Sequence, residues 1–183
     1  MLLKGDKIRL RPIEPEDVRE VYRMVNDPEI FGEFDVFQLA SWGEVEKWFK
    51  ESVRPDEFTV FIVEENRTKA MVGIAVYYTV HPVMQNLEIG FQIRSESERN
   101  KGYGTEAVKL LLEYLFSTRD VKRIQATTDV ENKAAQRVLE KNGFKREGRL
   151  RKAIFRRGEF HDAYIYSVLR EEWLGGGMGT GSS

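Results

Sequence analysis

One polar stretch joins a predicted strand to a long amphipathic helix, and it reads Arg99-Asn100-Lys101-Gly102-Tyr103-Gly104-Thr105. Its two glycines let backbone N–H groups turn towards a ligand, because no Cβ obstructs them. At a helix start these donors add to the macrodipole and suit a pyrophosphate, for which Arg99 and Lys101 supply positive charge. The stretch therefore predicts a phosphate-binding loop. A plain glycine-rich helix start is the alternative, because a lone G-x-G pattern is weak.

The hydrophobic pattern on both sides of this loop predicts a mixed α/β domain. Strands are expected over 8–13, 58–63, 71–78, 87–93 and 123–128, followed by a hairpin from Phe144 to Leu169 that turns at Arg157-Gly158. Helices are expected from Glu14, Ser41, Gly102 and Asn132, the last ending at Gly143. Gly90 interrupts the strand 87–93.

Composition excludes several classes of protein. The chain has 183 residues, 41% of them hydrophobic and 32% charged, with no cysteine and only two histidines. Disulfides, cysteine-ligated metals and thiol catalysis are therefore excluded, and a multi-histidine metal site is not expected. We expect one domain over residues 1–174, a flexible Gly/Ser-rich tail over 175–183, a cytoplasmic location and no membrane span.

The net charge of −1 conceals an uneven distribution. Fifteen acidic and five basic residues lie between Glu14 and Glu65, whereas eight basic and three acidic residues lie between Lys145 and Arg170. Near-neutral net charge argues against a general nucleic-acid binder. Two solvated faces are one interpretation, and separate regions for an anionic and a cationic ligand are the other.

Several segments, in the right order, resemble the GCN5-related N-acetyltransferase (GNAT) superfamily. Arg99, Gly102 and Gly104 match its acetyl-CoA loop, [QR]-x-x-G-x-[GA]. Residues 87–93 are similar to its split strand, and residues 132–144 to its N-x-x-A…E-K-x-G-F segment. Residues 8–12 and 158–163 resemble the RimJ/RimL branch, which acetylates protein N-termini. The resemblance extends from about Leu3 to Trp173.

The resemblance implies a GNAT-like, mostly antiparallel central sheet with a V-shaped split, flanked by helices on both faces, and a bulge at Gly90 that opens the split. It also implies acetyl-CoA as co-substrate and no metal. The residues expected to bind acetyl-CoA are Phe91, Gln92, Ile93, Arg99, Asn100, Lys101, Gly102, Tyr103, Gly104, Thr105 and Asn132. The first three are expected to act through their backbone groups. Asn132 would bond the pantetheine arm or serve only as a helix cap.

The chemistry of acetyl transfer indicates one candidate base. Alkyl amines titrate near ~10, so the acceptor must lose a proton before it attacks the thioester. Glu88 is predicted to take that proton, directly or through water, with a solvent-facing sheet carboxylate as the alternative. A backbone N–H near Phe91 would stabilise the oxyanion. The family often has a tyrosine that protonates the departing thiolate, seven residues after the helix-capping asparagine, but Leu139 occupies that position. The thiolate would then leave without an acid, or solvent or Tyr103 would supply the proton.

The acceptor is predicted from the acidic segment 27–37. Glu33 and Asp35 are expected to attract a cationic amine, with ordinary solvated loop charge as the alternative. The resemblance therefore predicts an acetyl-CoA-dependent N-acetyltransferase acting on a protein N-terminal α-amine through a ternary complex. A polyamine or other small-amine acetyltransferase and a non-catalytic acyl-CoA-binding module are the alternatives. A homodimer is expected from the branch alone.

Overall fold

The helices and strands alternate along the chain as the hydrophobic pattern predicts. The computed structural model describes residues 3–27, 30, 33–34, 39–52, 58–81, 86–94 and 98–176. The strands are β1 (Leu3–Lys4), β2 (Ile8–Pro12), β3 (Phe58–Glu65), β4 (Met71–His81), β5 (Asn86–Ile93), β6 (Arg123–Asp129), β7 (Lys145–Arg156) and β8 (Glu159–Leu169). The helices are α1 (Val18–Asn26), α2 (Trp42–Ser52), α3 (Tyr103–Thr118), α4 (Lys133–Lys141) and α5 (Arg170–Gly176), and a 3-10 turn over Pro15–Asp17 precedes α1.

Local signals in the sequence determine where several of these elements begin and end. The Ser41 hydroxyl accepts a hydrogen bond from the Glu44 N–H at 3.2 Å, while the Glu44 carboxylate accepts the Ser41 N–H at 2.7 Å. This capping box starts α2. Gly143, with φ +81°, follows α4 as predicted. Arg157 and Gly158 both have positive φ and form the predicted turn between β7 and β8.

The sheet divides near its middle. Within the described residues the strands follow the order β1-β2-β3-β4-β5-β6-β8-β7, and neighbours are antiparallel except β5 and β6. The parallel pairing of β5 with β6 covers only Leu87 opposite Ile124 and Glu88 opposite Gln125. Beyond Glu88 these two strands are not paired, so the sheet opens there.

The bulge predicted at Gly90 is wrong. β5 keeps a regular register with β4 through this residue, which pairs with Val76. The irregularity in that pair lies between Thr79 and His81. A Cβ on Gly90 would come within 3.0 Å of the Val76 Cγ2 atom, so the glycine permits close packing against β4. The sheet opens because the pairing with β6 ends, not because β5 bulges.

Helices cover both faces of the sheet, each over its own core. On one face α3 buries Val108, Leu111 and Leu115 in a core that it shares with the sheet, and the helix contacts β1, β2, β4 and β5. On the other face α1 and α2 enclose a smaller core with β3, in which Val45 and Ile62 are buried. The chain therefore has the predicted α/β fold, a mostly antiparallel sheet between helices.

The C-terminal helix reaches into the segment predicted to be a tail. α5 includes Gly175 and Gly176, so the expected boundary after residue 174 falls inside a helix. The other tail residues, 177–183, lie outside the described residues. Across the described ranges, no helix combines the length and apolar character that a membrane crossing requires.

Candidate active site

The glycine-rich loop forms the N-terminal end of α3. Gly102 is the cap residue and has φ +89°, and Asn100 also adopts a left-handed conformation, with φ +62°. A side chain at 102 would be strained, and its Cβ would lie 3.1 Å from the Lys7 Nζ atom. The first N–H groups of α3 have no partner within the helix and are available to an anion. The loop therefore has the geometry that a pyrophosphate requires.

Contacts from the N-terminal strands hold this loop in place. The Lys101 carbonyl accepts a hydrogen bond from the Lys7 Nζ at 2.7 Å. The Glu106 carboxylate accepts N–H groups of Asp6, Lys7 and Ile8, at 2.5 to 3.3 Å. The turn between β1 and β2 thus supports the first turn of α3.

Tyr103 anchors the same turn from inside the protein. Its side chain is buried, and its hydroxyl donates to the Glu65 Oε1 at 2.7 Å. That hydrogen bond raises the pKa of Tyr103 to about 12. The phenol is therefore a weaker acid than usual and its proton is directed at the Glu65 carboxylate, so the geometry does not support Tyr103 as an acid for the departing thiolate. Its contribution to the site is structural, through the position of its backbone.

A cleft of about 680 Å³ runs from this loop along β5 to the N-terminal end of α4. Most of the predicted cofactor residues line it together, namely Phe91, Gln92, Ile93, Arg99, Asn100, Gly102, Tyr103, Gly104, Thr105 and Asn132. Two N-terminal helix ends, those of α3 and α4, therefore meet the same cavity, beside a strand edge that β6 does not pair. This combination fits a long, phosphate-bearing ligand with amide groups along its arm, such as acetyl-CoA.

One wall of the cleft contains residues that the sequence did not predict to bind the cofactor. It comes from a face of α4 and consists of Ala134, Ala135, Arg137, Val138 and Lys141. Arg137 and Lys141 are four residues apart and share a face of the helix, which is the signal that could have revealed them. Ile30, Phe34 and Glu98 also line the cleft. The positive charge available to a phosphate therefore comes from Arg99, Arg137 and Lys141.

Asn132 caps α4 at this wall. Its side-chain Oδ1 accepts a hydrogen bond from the Ala135 N–H at 3.0 Å. The predicted capping role is thus confirmed, and the same residue lines the cleft. A helix cap and a contact with the pantetheine arm are therefore compatible roles, since the side-chain oxygen bonds the helix while the residue lines the cavity.

Lys101 stands apart from the other loop residues. It does not belong to the lining of the cleft, and its ammonium group pairs with the Glu98 Oε2 at 2.9 Å. The prediction that its charge faces the cofactor is therefore not supported by this geometry. Its backbone carbonyl, bonded to Lys7, contributes to the shape of the loop instead.

Of the two residues predicted to attract the acceptor, Glu33 lies within the described residues and Asp35 does not. Glu33 is exposed and lines the cleft beside Phe34. Asp35 lies outside the described residues. In the part of the chain that the structure describes, the acidic residues that line the cleft are Glu33 and Glu98, and Glu98 is paired with Lys101 of the glycine-rich loop.

Glu88 lies where the sheet opens rather than in the lining of the cleft. It belongs to the last residue pair that joins β5 to β6, three residues before Phe91. The Gln125 Nε2 donates to its Oε2 at 2.9 Å, and the Tyr78 hydroxyl donates to the same carboxylate. Burial, together with Glu88, raises the pKa of Tyr78 to about 12. The carboxylate is half-buried and held from both neighbouring strands.

Leu139 occupies the position at which the family often has a tyrosine. Its side chain is 1% exposed and belongs to the core beneath α3. The residue therefore packs as an apolar core residue, and α4 provides no hydroxyl at this position.

A family model described as "Acetyltransferase (GNAT) domain" matches residues 7–145 of the chain. The uncharacterized N-acetyltransferase YnaD of Bacillus subtilis is 32% identical over 151 residues, covering 75% of this chain and 88% of that protein. The spermidine N(1)-acetyltransferase of Escherichia coli is 25% identical over 167 residues, covering 91% and 88% of the two chains.

Two solved structures share the fold. Spermidine N-acetyltransferase from Vibrio cholerae, in complex with CoA and spermine, superposes with a TM-score of 0.81 at 23% identity, over 93% of this chain and 99% of that one. RimL, a ribosomal L7/L12 alpha-N-protein acetyltransferase in complex with coenzyme A, also gives 0.81, at 18% identity, over 92% and 98%. The glycine-rich start of α3, the divided sheet and the matched family model support one conclusion: this chain belongs to the GNAT acetyltransferase family and is an acetyl-CoA-dependent N-acetyltransferase.

Proposed function

We propose that this enzyme acetylates protein N-terminal α-amines by direct attack within a ternary complex, with Glu88 as the base. One observation carries the proposal. The cofactor cleft follows β5 towards the point where β5 separates from β6, and Glu88 belongs to the last pair before that point. A thioester bound along β5 would therefore place its carbonyl near this carboxylate.

The cleft residues have distinct roles in this proposal. The N-terminal end of α3 binds the pyrophosphate, with Arg99 as its cation. The backbone of Phe91, Gln92 and Ile93 pairs with the amides of pantetheine as an added strand would. A backbone N–H near Phe91 donates to the oxyanion that forms on attack. Asn132 supports the pantetheine arm from the opposite wall.

Glu88 removes a proton from the amine as the new C–N bond forms. Tyr78 and Gln125 hold the carboxylate in a fixed orientation, and its remaining lone pairs can accept from the amine or an intervening water. The acyl carbon–sulfur bond then breaks, and the electron pair leaves with sulfur. Since CoA-type thiols titrate near ~8.5, the thiolate leaves without the tyrosine that Leu139 replaces.

Two considerations favour an α-amine over a polyamine. An α-amine titrates near ~8, against about 10 for an alkyl amine, so a larger fraction reaches the site neutral. The β7–β8 hairpin carries seven basic and three acidic residues between Lys145 and Leu169, and such a surface repels a polycation while it tolerates or attracts an acidic protein. The resemblance of residues 8–12 and 158–163 to the RimJ/RimL branch supports the same choice.

A polyamine remains the second candidate, because Glu33 and Glu98 place negative charge in the lining of the cleft. A small panel separates the two. It contains a heptapeptide with a free N-terminus, the same peptide with a blocked N-terminus and an internal lysine, and spermidine. Thiol release with the free peptide alone supports the proposal. Turnover of spermidine alone would replace it with the polyamine candidate.

The role of Glu88 has its own test. Glu88→Gln keeps the hydrogen bond to Gln125 possible but removes the base, so kcat should fall by about 100-fold or more. Binding of acetyl-CoA, measured by calorimetry, should remain unchanged. Glu113→Gln, on the exposed side of α3, is the matched control and should behave as wild type. An unchanged kcat at saturating substrates in Glu88→Gln would refute the assignment.

A further inference from the structure

A buried arginine connects two walls of the cleft. Arg156 is the last residue of β7, and only 6% of it is exposed. Its Nη2 lies 3.1 Å from the Asp129 Oδ2, 3.5 Å from the Glu131 Oε2 and 3.4 Å from the His161 Nδ1. Asp129, Glu131 and His161 each offer one atom that could bind a metal ion, and these three atoms lie within 4.8 Å of one another. The guanidinium donates to the Asp129 carboxylate and lies within hydrogen-bond distance of the other two side chains, so the cation of this cluster is the arginine itself.

The other side of the guanidinium contacts two consecutive residues of another part of the cleft lining, Glu33 and Phe34. Its Nη1 donates to the Glu33 backbone carbonyl at 3.0 Å. Its carbon lies 5.2 Å from the centroid of the Phe34 ring, a distance at which a cation and an aromatic face attract each other. Both residues line the cleft. Arg156 therefore fixes the backbone of one residue and the ring of the next.

The acidic partners lie directly before α4. The Asp129 Oδ1 accepts the Glu131 N–H at 2.8 Å, and the Asp129 carbonyl accepts the Asn132 N–H at 3.0 Å. Asn132 then caps α4. One guanidinium thus joins the Glu33–Phe34 segment to the start of α4, across the end of the cleft.

Arg156 is costly to bury. Its Nε has no hydrogen-bond partner among the described atoms, and an unmet buried donor destabilises a protein. A well-packed apolar side chain at the same place would often be neutral or stabilising. Stability of the fold is therefore a poor explanation for a guanidinium here. A better explanation is that Arg156 contacts Glu33 and Phe34 on one side and Asp129 on the other.

We propose that Arg156 is a positioning residue, which sets the acceptor-facing wall by holding Glu33 and Phe34 against the N-terminal end of α4. The inference rests on the proposed function for the identity of the ligand at that wall, an amine bearing positive charge. With the guanidinium removed, the Glu33 backbone loses its hydrogen bond and the Phe34 ring loses its cation, so this wall is no longer held in place relative to the reacting carbonyl. Acceptor binding should suffer, while the phosphate loop, formed by other elements, should not.

Kinetics of variants test this role, with the best-used amine of the panel above as acceptor. Arg156→Met should lower kcat/KM for the acceptor by about tenfold to a hundredfold, mainly through KM, because small displacements of a positioning group cost this much. The acetyl-CoA Kd should stay within about twofold of wild type. Arg151→Met, at an exposed position on the same strand, is the matched control. Arg156→Lys keeps the charge and should recover part of the loss.

A double-mutant cycle separates positioning from folding. Phe34→Leu removes the ring without leaving a buried charge, so it should fold even if Arg156→Met does not. Where both variants fold, their effects on acceptor KM should be less than additive, because they disrupt the same contact.

A readout that needs no activity completes the test. In protein labelled with 4-fluorophenylalanine, the ¹⁹F signal assigned through Phe34→Leu should move towards the free-amino-acid shift in Arg156→Met or, if that variant does not fold, in Arg156→Lys. An unmoved signal, additive effects on KM, or a loss of acetyl-CoA affinity with acceptor KM unchanged would each overturn the inference. Failure of Glu88→Gln to lower kcat would refute the base assignment and leave this inference standing.

Discussion

Leu139 shows how one side chain can change the chemistry expected of a site. It is 1% exposed, and its neighbours in the core include residues of α3 and the sheet. An apolar residue there excludes a protein hydroxyl from this position of α4. Departure of the thiolate then depends on its own acidity and on solvent.

Restoring a tyrosine at this position should cost stability. Leu139→Tyr adds volume and a hydroxyl to a packed core, so the free energy of unfolding should fall by about 1–3 kcal/mol. Leu139→Met, which nearly conserves volume, should lose less than about 1.5 kcal/mol. Urea unfolding followed by circular dichroism measures both. Equal stability of Leu139→Tyr and wild type would contradict the burial described above.

Glu147 gives a pH-dependent prediction. The Arg123 guanidinium binds its two oxygens at 2.7 and 2.6 Å, and the Ser167 hydroxyl donates at 2.6 Å. The Arg123 hydrogen bond, followed by that from Ser167, lowers the pKa of Glu147 from 4.5 to about 2. A lowered folded-state pKa means that this interaction stabilises the fold fully above about pH 4.5 and is lost as the pH falls towards 2.

Acid titration of stability tests this assignment. Glu147→Gln should be less stable than wild type at pH 7, and the difference between the two should shrink between pH 4.5 and 2. Glu113→Gln, with a largely exposed carboxylate on α3, is the control. A difference between Glu147→Gln and wild type that stays constant over this range would show that the ionised carboxylate does not provide the stabilisation.

At the scale of elements, the site is built from the ends of helices and the edge of a strand. α3 and α4 direct their N-terminal ends at one cleft, and β5 borders it beyond its last pair with β6. The β1–β2 turn supports α3 through Glu106 and Lys7. The caps of these helices therefore determine the geometry available to the cofactor.

Two glycines with nearly the same backbone conformation make a matched pair. Gly102 has φ +89° at the start of α3, and Gly143 has φ +81° after α4. Substitution of either by alanine should cost about 1–2 kcal/mol of stability, since an L-residue is strained in this region. Only Gly102→Ala should also weaken acetyl-CoA binding, measured by calorimetry. Equal affinities in the two variants would contradict the placement of the pyrophosphate.

At the scale of the whole molecule, acetyl-CoA is expected to connect parts of the fold that are distant in sequence. The cleft is lined by β5, the loop before α3, the face of α4 and the segment containing Glu33 and Phe34. A ligand that spans these elements binds the folded state and not the unfolded chain. Binding should therefore stabilise the whole domain.

Thermal unfolding measures this coupling. At a concentration of about 100 times its Kd, acetyl-CoA should increase the free energy of unfolding by about 2.7 kcal/mol and raise Tm by roughly 5–10 °C. Adenosine 3′,5′-bisphosphate, which lacks the pantetheine arm, should give a smaller increase at the same concentration. Equal shifts from the two ligands would argue against the proposed contacts along β5.

The sequence alone was sufficient for the local features. Hydrophobic periodicity, Ser41, Gly143 and the Arg157-Gly158 turn predicted most elements, because capping and turn preferences act over a few residues. The loop 99–105 predicts a phosphate site for the same reason, since its donors belong to consecutive residues. Leu139 was identifiable as a departure from the family pattern, but its burial was not.

Tertiary structure decided what depends on residues far apart in the chain. The sheet opens where pairing between β5 and β6 ends, not at a bulge at Gly90, because register is set between strands. Arg137 and Lys141 enter the site only because α4 packs beside β5 and α3. Arg156 meets Glu33 across 123 positions of sequence, and no local pattern encodes such a contact. Sequence thus determined the parts of this acetyltransferase, and packing determined which of them share a cleft.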